Sequence, residues 1–156
     1  MNSRKMMSHP KRRGEWAELQ FMAKAAKLGL RISKPWGECR YDVIVESGGH
    51  FIRIQVKSTI CRRRNGFYAC SVKPSPTSRP YRRGEFDFVA AYLIREDIWY
   101  IFPAKVVVNG GRGTIILSSS SRASKHAPYK EAWHLLRPVH AKTTRFLLSG
   151  GSLEEP

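Results

Sequence analysis

Four side chains in this sequence carry groups that need company if they are brought out of water: Glu18, Asp42, Gln55 and Lys57. They are two acids, an amide and an amine. A carboxylate in apolar surroundings needs a cation, a proton or hydrogen-bond donors. Local patterning says where three of them go. Gly48-Gly49 is a tight-turn signal between two strand-like runs, residues 41–46 and 51–60. With the glycines as the turn, facing positions sum to 97, so Ile44 faces Arg53 and Asp42 faces Gln55. Facing residues, and residues two apart on one strand, point to the same side of a sheet. Asp42, Gln55 and Lys57 are thus expected on one patch, with Ile52, Ile54 and Val56 on the other side.

Glu18 comes from a predicted helix over residues 14–28, closed by Gly29. At about 100° per residue, Gln20, Lys24 and Lys27 share a solvated sector. Glu15 and Glu18 fall opposite, with Met22, Ala25 and Ala26. Glu15 suits the helix dipole; Glu18 lies deeper, on the face that must pack on something. The first strand is apolar on both sides apart from Asp42, and the helix needs an apolar surface to cover. A lone Asp there, opposite Gln55 and diagonal to Lys57, reads as a site more readily than as the wet face of an antiparallel sheet.

The remaining elements follow from turn signals. Asn65-Gly66 predicts a hairpin in which positions sum to 131 and Cys61 faces Cys70, as two small apolar fillers. Residues 73–84 form a Pro-, Ser- and Arg-rich loop. A second hairpin is expected over 86–94 and 98–102, further strands over 105–108 and 114–117, and a helix over 128–136 ended by Pro138. Tyr129, Trp133 and Leu136 fall at core spacing on that helix. His126, His134 and His140 lack ligand spacing and read as surface residues. Asp87, between two phenylalanines, reads as a structural hydrogen-bonding group or a residue close to a ligand. The expected organisation is a basic disordered arm at 1–12, one domain at 13–137 and a tail at 138–156.

With 156 residues the chain has room for one hydrophobic core. Its charge is unusual: 28 Lys and Arg against 12 Asp and Glu give +16. A polyanionic partner relieves such self-repulsion, nucleic acid first and an anionic membrane surface second. No apolar run is long enough to span a membrane, and no signal peptide follows the basic N-terminus, so a cytoplasmic protein is expected. Three cysteines without CxxC spacing argue against a disulfide scaffold or a zinc finger. Between residues 58 and 84 stand Arg62, Arg63, Arg64, Lys73, Arg79, Arg82 and Arg83 and no acid. With Tyr68 and Tyr81 nearby, they make an expected phosphate-tracking surface.

Gly14-Glu15-Trp16-Ala17-Glu18, Tyr41-Asp42 and Gln55-Val56-Lys57, in this order, resemble the PD-(D/E)XK nuclease superfamily, and within it the group I intron-associated homing endonucleases. The likeness extends to Pro35-Trp36-Gly37, Phe86-Asp87-Phe88 and the Tyr129 to Trp133 segment. Tyr41 stands in place of the motif's proline and Gln55 in place of its second acid, as in the intron-associated branch. The resemblance implies an α/β fold of restriction-endonuclease type, a mixed β-sheet flanked by helices. It implies hydrolysis of DNA phosphodiesters with Mg²⁺, for which Mn²⁺ can substitute. Asp42, Gln55, the Val56 carbonyl and Glu18 are the implied metal-side residues, and Lys57 the implied cation at the attacking water or the reacting phosphate. Double-stranded DNA is the implied partner, and cutting both strands calls for a homo-oligomer, a dimer or a tetramer. The alternative is a nuclease-like DNA- or RNA-binding module whose metal site Gln55 has weakened.

Overall fold

A helix, α1 (Pro10–Lys27), leads into three strands: β1 (Arg31–Ser33), β2 (Val43–Ser47) and β3 (His50–Thr59). The chain is seen here in a computed structural model that describes residues 7–74, 78–108 and 113–137. Pro10 sits in the first helical turn, where a missing N–H costs nothing. The helix therefore begins four residues ahead of the expected start, and residues 10–12, expected in the arm, are helical. Its buried stripe is Ala17, Phe21 and Ala25. Glu15 and Ala26 are exposed, while Gln20 and Lys24 are half-buried. The apolar face is thus rotated from the expected one, and Glu18 flanks it.

β2 and β3 pair in the predicted register, Ile44 opposite Arg53 and Ser47 opposite His50. The Asp42 N–H continues the ladder to the Ile54 carbonyl at 2.8 Å. β4 (Phe67–Ser71) leaves this sheet. β5 (Phe88–Leu93) returns parallel to β3, and β6 (Ile98–Pro103) pairs antiparallel with β5 as the predicted hairpin. The result is a five-stranded mixed sheet in the order β1-β2-β3-β5-β6. A short helix, α2 (Ala104–Val108), and β7 (Thr114–Ser118) follow. β4 and β7 form a separate two-stranded sheet.

Both faces of the large sheet are covered. Ile54, Ala90, Tyr92 and Ile101 pack with the α1 stripe. Val89, Ala91, Leu93, Tyr100 and Phe102 pack with Tyr68, Cys70, Ile115 and Leu117 of the small sheet. Gln55 is opposite Val89 and Lys57 opposite Ala91, so these two polar residues lie on the side of the small sheet. The restriction-endonuclease-like α/β architecture is the one observed. Among the described residues, no helix is long and apolar enough to cross a membrane.

Four local expectations fail for physical reasons. Arg62 bridges Tyr68, and the Ala69 N–H reaches the Cys61 carbonyl, one register step from the predicted pairing. Cys61 is consequently exposed, whereas Cys70 fills the second core, its thiol pushed up to about 12 by burial. Residues 105–108, a lysine and three valines predicted as a strand, are helical: the Ala104 N–H to the Asp87 carbonyl at 2.8 Å is the last rung of the β5–β6 ladder, and the chain turns into α2 where its strand partner ends. The predicted helix at 128–136 is two 3₁₀ turns, Ala127–Tyr129 and Trp133–Leu136. Between them Glu131 has φ 49°, and its carboxylate accepts from the Trp99 N–H (2.7 Å) and the Trp133 indole N–H (2.8 Å). Tyr129 then packs in one core and Trp133 and Leu136 in the other. His126 is buried edge-on to Phe102, with ring centroids 5.3 Å apart, rather than on the surface; His134 is exposed and His140 lies outside the described residues.

Candidate active site

Asp42 stands at the mouth of the β2–β3 hairpin, where the ladder's alternation turns its side chain toward Gln55. Its Oδ2 accepts from the Gln55 amide nitrogen (2.5 Å) and the Val56 N–H (2.7 Å). Burial pushes its carboxyl up to about 6, with the charge of Glu18 adding to the rise; the Val56 hydrogen bond and the charges of Lys57 and Lys34 oppose it. A half-buried carboxylate held this way is short of positive charge. The buried Gln55 amide nitrogen also lies 3.4 Å from the Val56 carbonyl oxygen. One –NH₂ group thus bridges two oxygens, and a half-turn of the amide would aim an oxygen between them instead.

Glu18 and Asp42 line one open pocket of about 440 Å³, together with Lys34, Glu38 and Arg40. Glu18 Oε2 accepts from the Lys34 ammonium at 2.5 Å. That bond, with the nearby charges of Glu18, Asp42 and Glu15, raises the Lys34 pKa. Lys57 sends its hydrogen bonds to the Lys73 carbonyl (3.0 Å) and the Tyr81 hydroxyl (2.9 Å). The structure therefore joins Asp42 to Gln55 by direct contact and sets Glu18 on the same pocket wall. Lys57 stays within electrostatic reach of Asp42 but is bound elsewhere.

The loop that holds Lys57 is itself built around one acid. Glu85 accepts from Arg40 Nε (3.3 Å), the Arg82 N–H (2.9 Å) and the Arg79 guanidinium. Burial alone would raise its carboxyl, but these donors outweigh it and hold it at about 2. Arg40 also donates to the Arg79 carbonyl at 2.9 Å and lies 4.8 Å over the Tyr81 ring, whose edge meets Phe86.

Of the basic residues expected to follow phosphates, Arg62, Arg63, Arg64, Arg82 and Arg83 are exposed. Arg79 is exposed but paired with Glu85, and the Lys73 side chain lies across Gly113, where a Cβ would come within 1.8 Å of it. Tyr68 is fully buried with its hydroxyl on Glu96, so it belongs to the core and not to that surface. Asp87 grips Arg53 through both carboxylate oxygens, at 2.8–3.1 Å, a structural fork between β3 and the start of β5. Lys34, Arg40, Tyr81 and Glu85 are the neighbours of the site that spacing along the chain did not single out. They come from irregular segments, and only Tyr81's position within a basic, acid-free stretch gave any signal.

A family model described as PD-(D/E)XK endonuclease matches residues 8–136. The chain belongs to the PD-(D/E)XK endonuclease family. The matched span of this PD-(D/E)XK domain includes Tyr41-Asp42, just ahead of β2, and Gln55-Val56-Lys57, on β3. The chain is also similar to the solved structure of a bacterial homing endonuclease, I-Ssp6803I. The two share 31% identity over 79% of this chain and 89% of that one, with a TM-score of 0.70. No curated protein matches the chain.

A metal is the cofactor such a domain implies, and the donor set can be tested against it. Among the described residues no three His, Cys, Asp or Glu side chains are close enough to hold an ion. Oxygen donors on the β2–β3 hairpin suit a hard cation that keeps several waters and takes one or two carboxylates. Asp42 and the Val56 carbonyl are the oxygen donors in place, and the Gln55 amide would add its oxygen after a half-turn.

Proposed function

We propose that this PD-(D/E)XK domain is a metal-dependent DNA endonuclease, of homing type, that uses Mg²⁺ or Mn²⁺. One observation carries the reading: a half-buried Asp42 carboxylate with a raised pKa, tied to Gln55 on the next strand, on a pocket shared with Glu18. When bound, the metal supplies charge that polarises the phosphate and lowers the pKa of a water. Asp42 holds the ion as principal ligand, with the Val56 carbonyl and the Gln55 oxygen completing the protein's share. Glu18 orients a water from the helix side. Lys57 places its ammonium beside the reacting phosphate as negative charge develops there. Arg62, Arg63, Arg64, Arg82 and Arg83 track the backbone of double-stranded DNA. A second copy, in a dimer or a tetramer, brings the second site that a double-strand break needs.

Asp42→Ala and Lys57→Ala each abolish cleavage of supercoiled plasmid in Mg²⁺ or Mn²⁺ and leave duplex affinity nearly unchanged. Affinity is spread over many phosphate contacts, whereas the chemical step depends on one site. An Asp42→Ala protein that cuts as well as the parent would sink the assignment. The bridging –NH₂ of Gln55 favours one other reading, a domain that binds nucleic acid without cutting. Its signature is a parent protein inert with both metals and a Gln55→Glu variant that gains activity.

A further inference from the structure

Trp36 is fully exposed, at 100% of its possible surface, on the rim of the Asp42 pocket. Its neighbours Pro35 and Gly37 line that pocket, but its own indole does not. Two features hold it there. Pro35 restricts the backbone on one side, and Gly37 turns with φ 77° on the other, a conformation that a side chain resists. A rigid turn that displays a bare indole gains nothing in the free chain. The net charge of the chain names the partner. Lys34 and Arg40 flank the turn but are paired with Glu18 and Glu85, and Glu38 lies between them, whereas the chain as a whole carries +16. An anionic polymer with flat apolar faces meets both the net charge and the bare indole, and in a duplex such a face is reached by a wedge that parts a base step.

We infer that Trp36 is a DNA contact that wedges its indole between neighbouring bases near the phosphate to be cut, so that the duplex is positioned by stacking as well as by charge. This deepens the endonuclease reading and rests on it. Lys34 and Arg40 stay on Glu18 and Glu85, so the phosphate charge is met by the exposed arginines elsewhere on the chain. Because stacking releases no counterions, the Trp36 contact adds affinity without adding salt dependence.

The other three tryptophans make the test direct. Trp99 and Trp133 are buried, and Trp16 is half-buried against Tyr92. Acrylamide therefore quenches chiefly Trp36 in the free, metal-free chain, and Trp36→Phe removes that quenchable component. Saturation with a labelled random-sequence duplex, followed by anisotropy, is expected to shield Trp36 severalfold. Trp36→Ala is expected to raise the duplex Kd about tenfold, with the salt slope and the melting temperature unchanged. A duplex that binds while quenching stays the same overturns the inference and leaves the endonuclease reading standing. Shielding that grows with protein concentration in the absence of DNA overturns it too, and assigns Trp36 to a second copy. No duplex binding at any salt concentration overturns both readings together.

Discussion

The Lys57 ammonium donates to the Tyr81 hydroxyl at 2.9 Å, which ties the second strand of the hairpin to a loop 24 residues further along the chain. The proposed catalytic cation is thus positioned by the basic segment. Tyr81→Phe keeps the ring against Phe86 and under Arg40 but removes the acceptor. Cleavage should fall about tenfold, the worth of one hydrogen bond to a charged group, at unchanged duplex Kd and melting temperature. Single-turnover rates beside binding isotherms test this; a parallel loss of affinity would make Tyr81 a packing residue only.

Lys34 sits on Glu18 where positive charge is scarce, within the fields of Glu15, Glu18 and Asp42. A tethered ammonium there competes with a divalent ion. Lys34→Met should tighten Mn²⁺ binding to the DNA-free chain about threefold, the scale of a screened, half-exposed charge. Mn²⁺ titration followed by electron paramagnetic resonance reads this, with Asp42→Asn as the variant that fails to bind. Equal affinity for the parent and Lys34→Met would reduce the pair to a surface contact.

Asp42 makes metal-free stability depend on pH in the direction opposite to most acids. Its folded pKa, about 6, lies above the ordinary aspartate value of 3.8, so the folded chain keeps a proton that the unfolded chain releases. The stability it contributes is full below about pH 4 and declines as pH rises through 6, by about 3 kcal/mol at most. In a chelator, Asp42→Asn should therefore melt higher than the parent at pH 8 and alike at pH 4. Thermal unfolding at the two pH values decides it, and a variant less stable at pH 8 contradicts it.

Glu85 runs the other way. Held at about 2, below its usual 4.5, it contributes stability above pH 4.5 that is lost as pH falls toward 2. Glu85→Gln should leave Arg40 and Arg79 without the negative charge they share and flatten the acid limb of the stability curve. Unfolding midpoints measured between pH 5 and pH 2 give the comparison; superimposable curves would mean that the loop is anchored by other contacts.

Phosphate contacts should divide unequally among the basic residues. Replacing Arg62, Arg63 and Arg64 with Ala should lower the slope of log K against log salt by about one unit for every phosphate no longer neutralised. Arg79→Ala should change the slope less, because Glu85 already neutralises that guanidinium. The binding isotherms at several salt concentrations report this; equal slope changes at Arg79 and Arg62 would refute the pairing.

The β2–β3 hairpin is legible in the sequence because two local signals agree: Gly48-Gly49 fixes the turn, and the period-two alternation fixes the faces. Together they place Asp42 opposite Gln55 from residue order alone. Glu131 shows the opposite case. Apolar spacing at Tyr129, Trp133 and Leu136 suits a helix, but the backbone N–H of Trp99 claims the Glu131 carboxylate and forces a left-handed residue into the middle. β4 pairs with β7 and not with the end of β3, because Asn65-Gly66 signals a turn and says nothing about a strand more than 40 residues away. Lys34, Tyr81 and Glu85 act from loops, where side-chain direction follows from tertiary contacts and not from period.

The parallel pairing of β3 with β5 also sets the order in which the molecule can assemble. The β2–β3 hairpin closes over two glycines, at little entropic cost, and already carries Asp42, Gln55 and Lys57. The β3–β5 ladder must enclose β4 and the whole basic segment before its first hydrogen bond forms. Local contacts form fast and distant ones slowly. The chemistry-bearing strand pair is therefore the cheap early step of folding, and Tyr81 and Glu85 can take their places only after the slow closure. Mutations that weaken β5 should lower the folding rate, yet leave a hairpin whose acid, amide and amine are still in line.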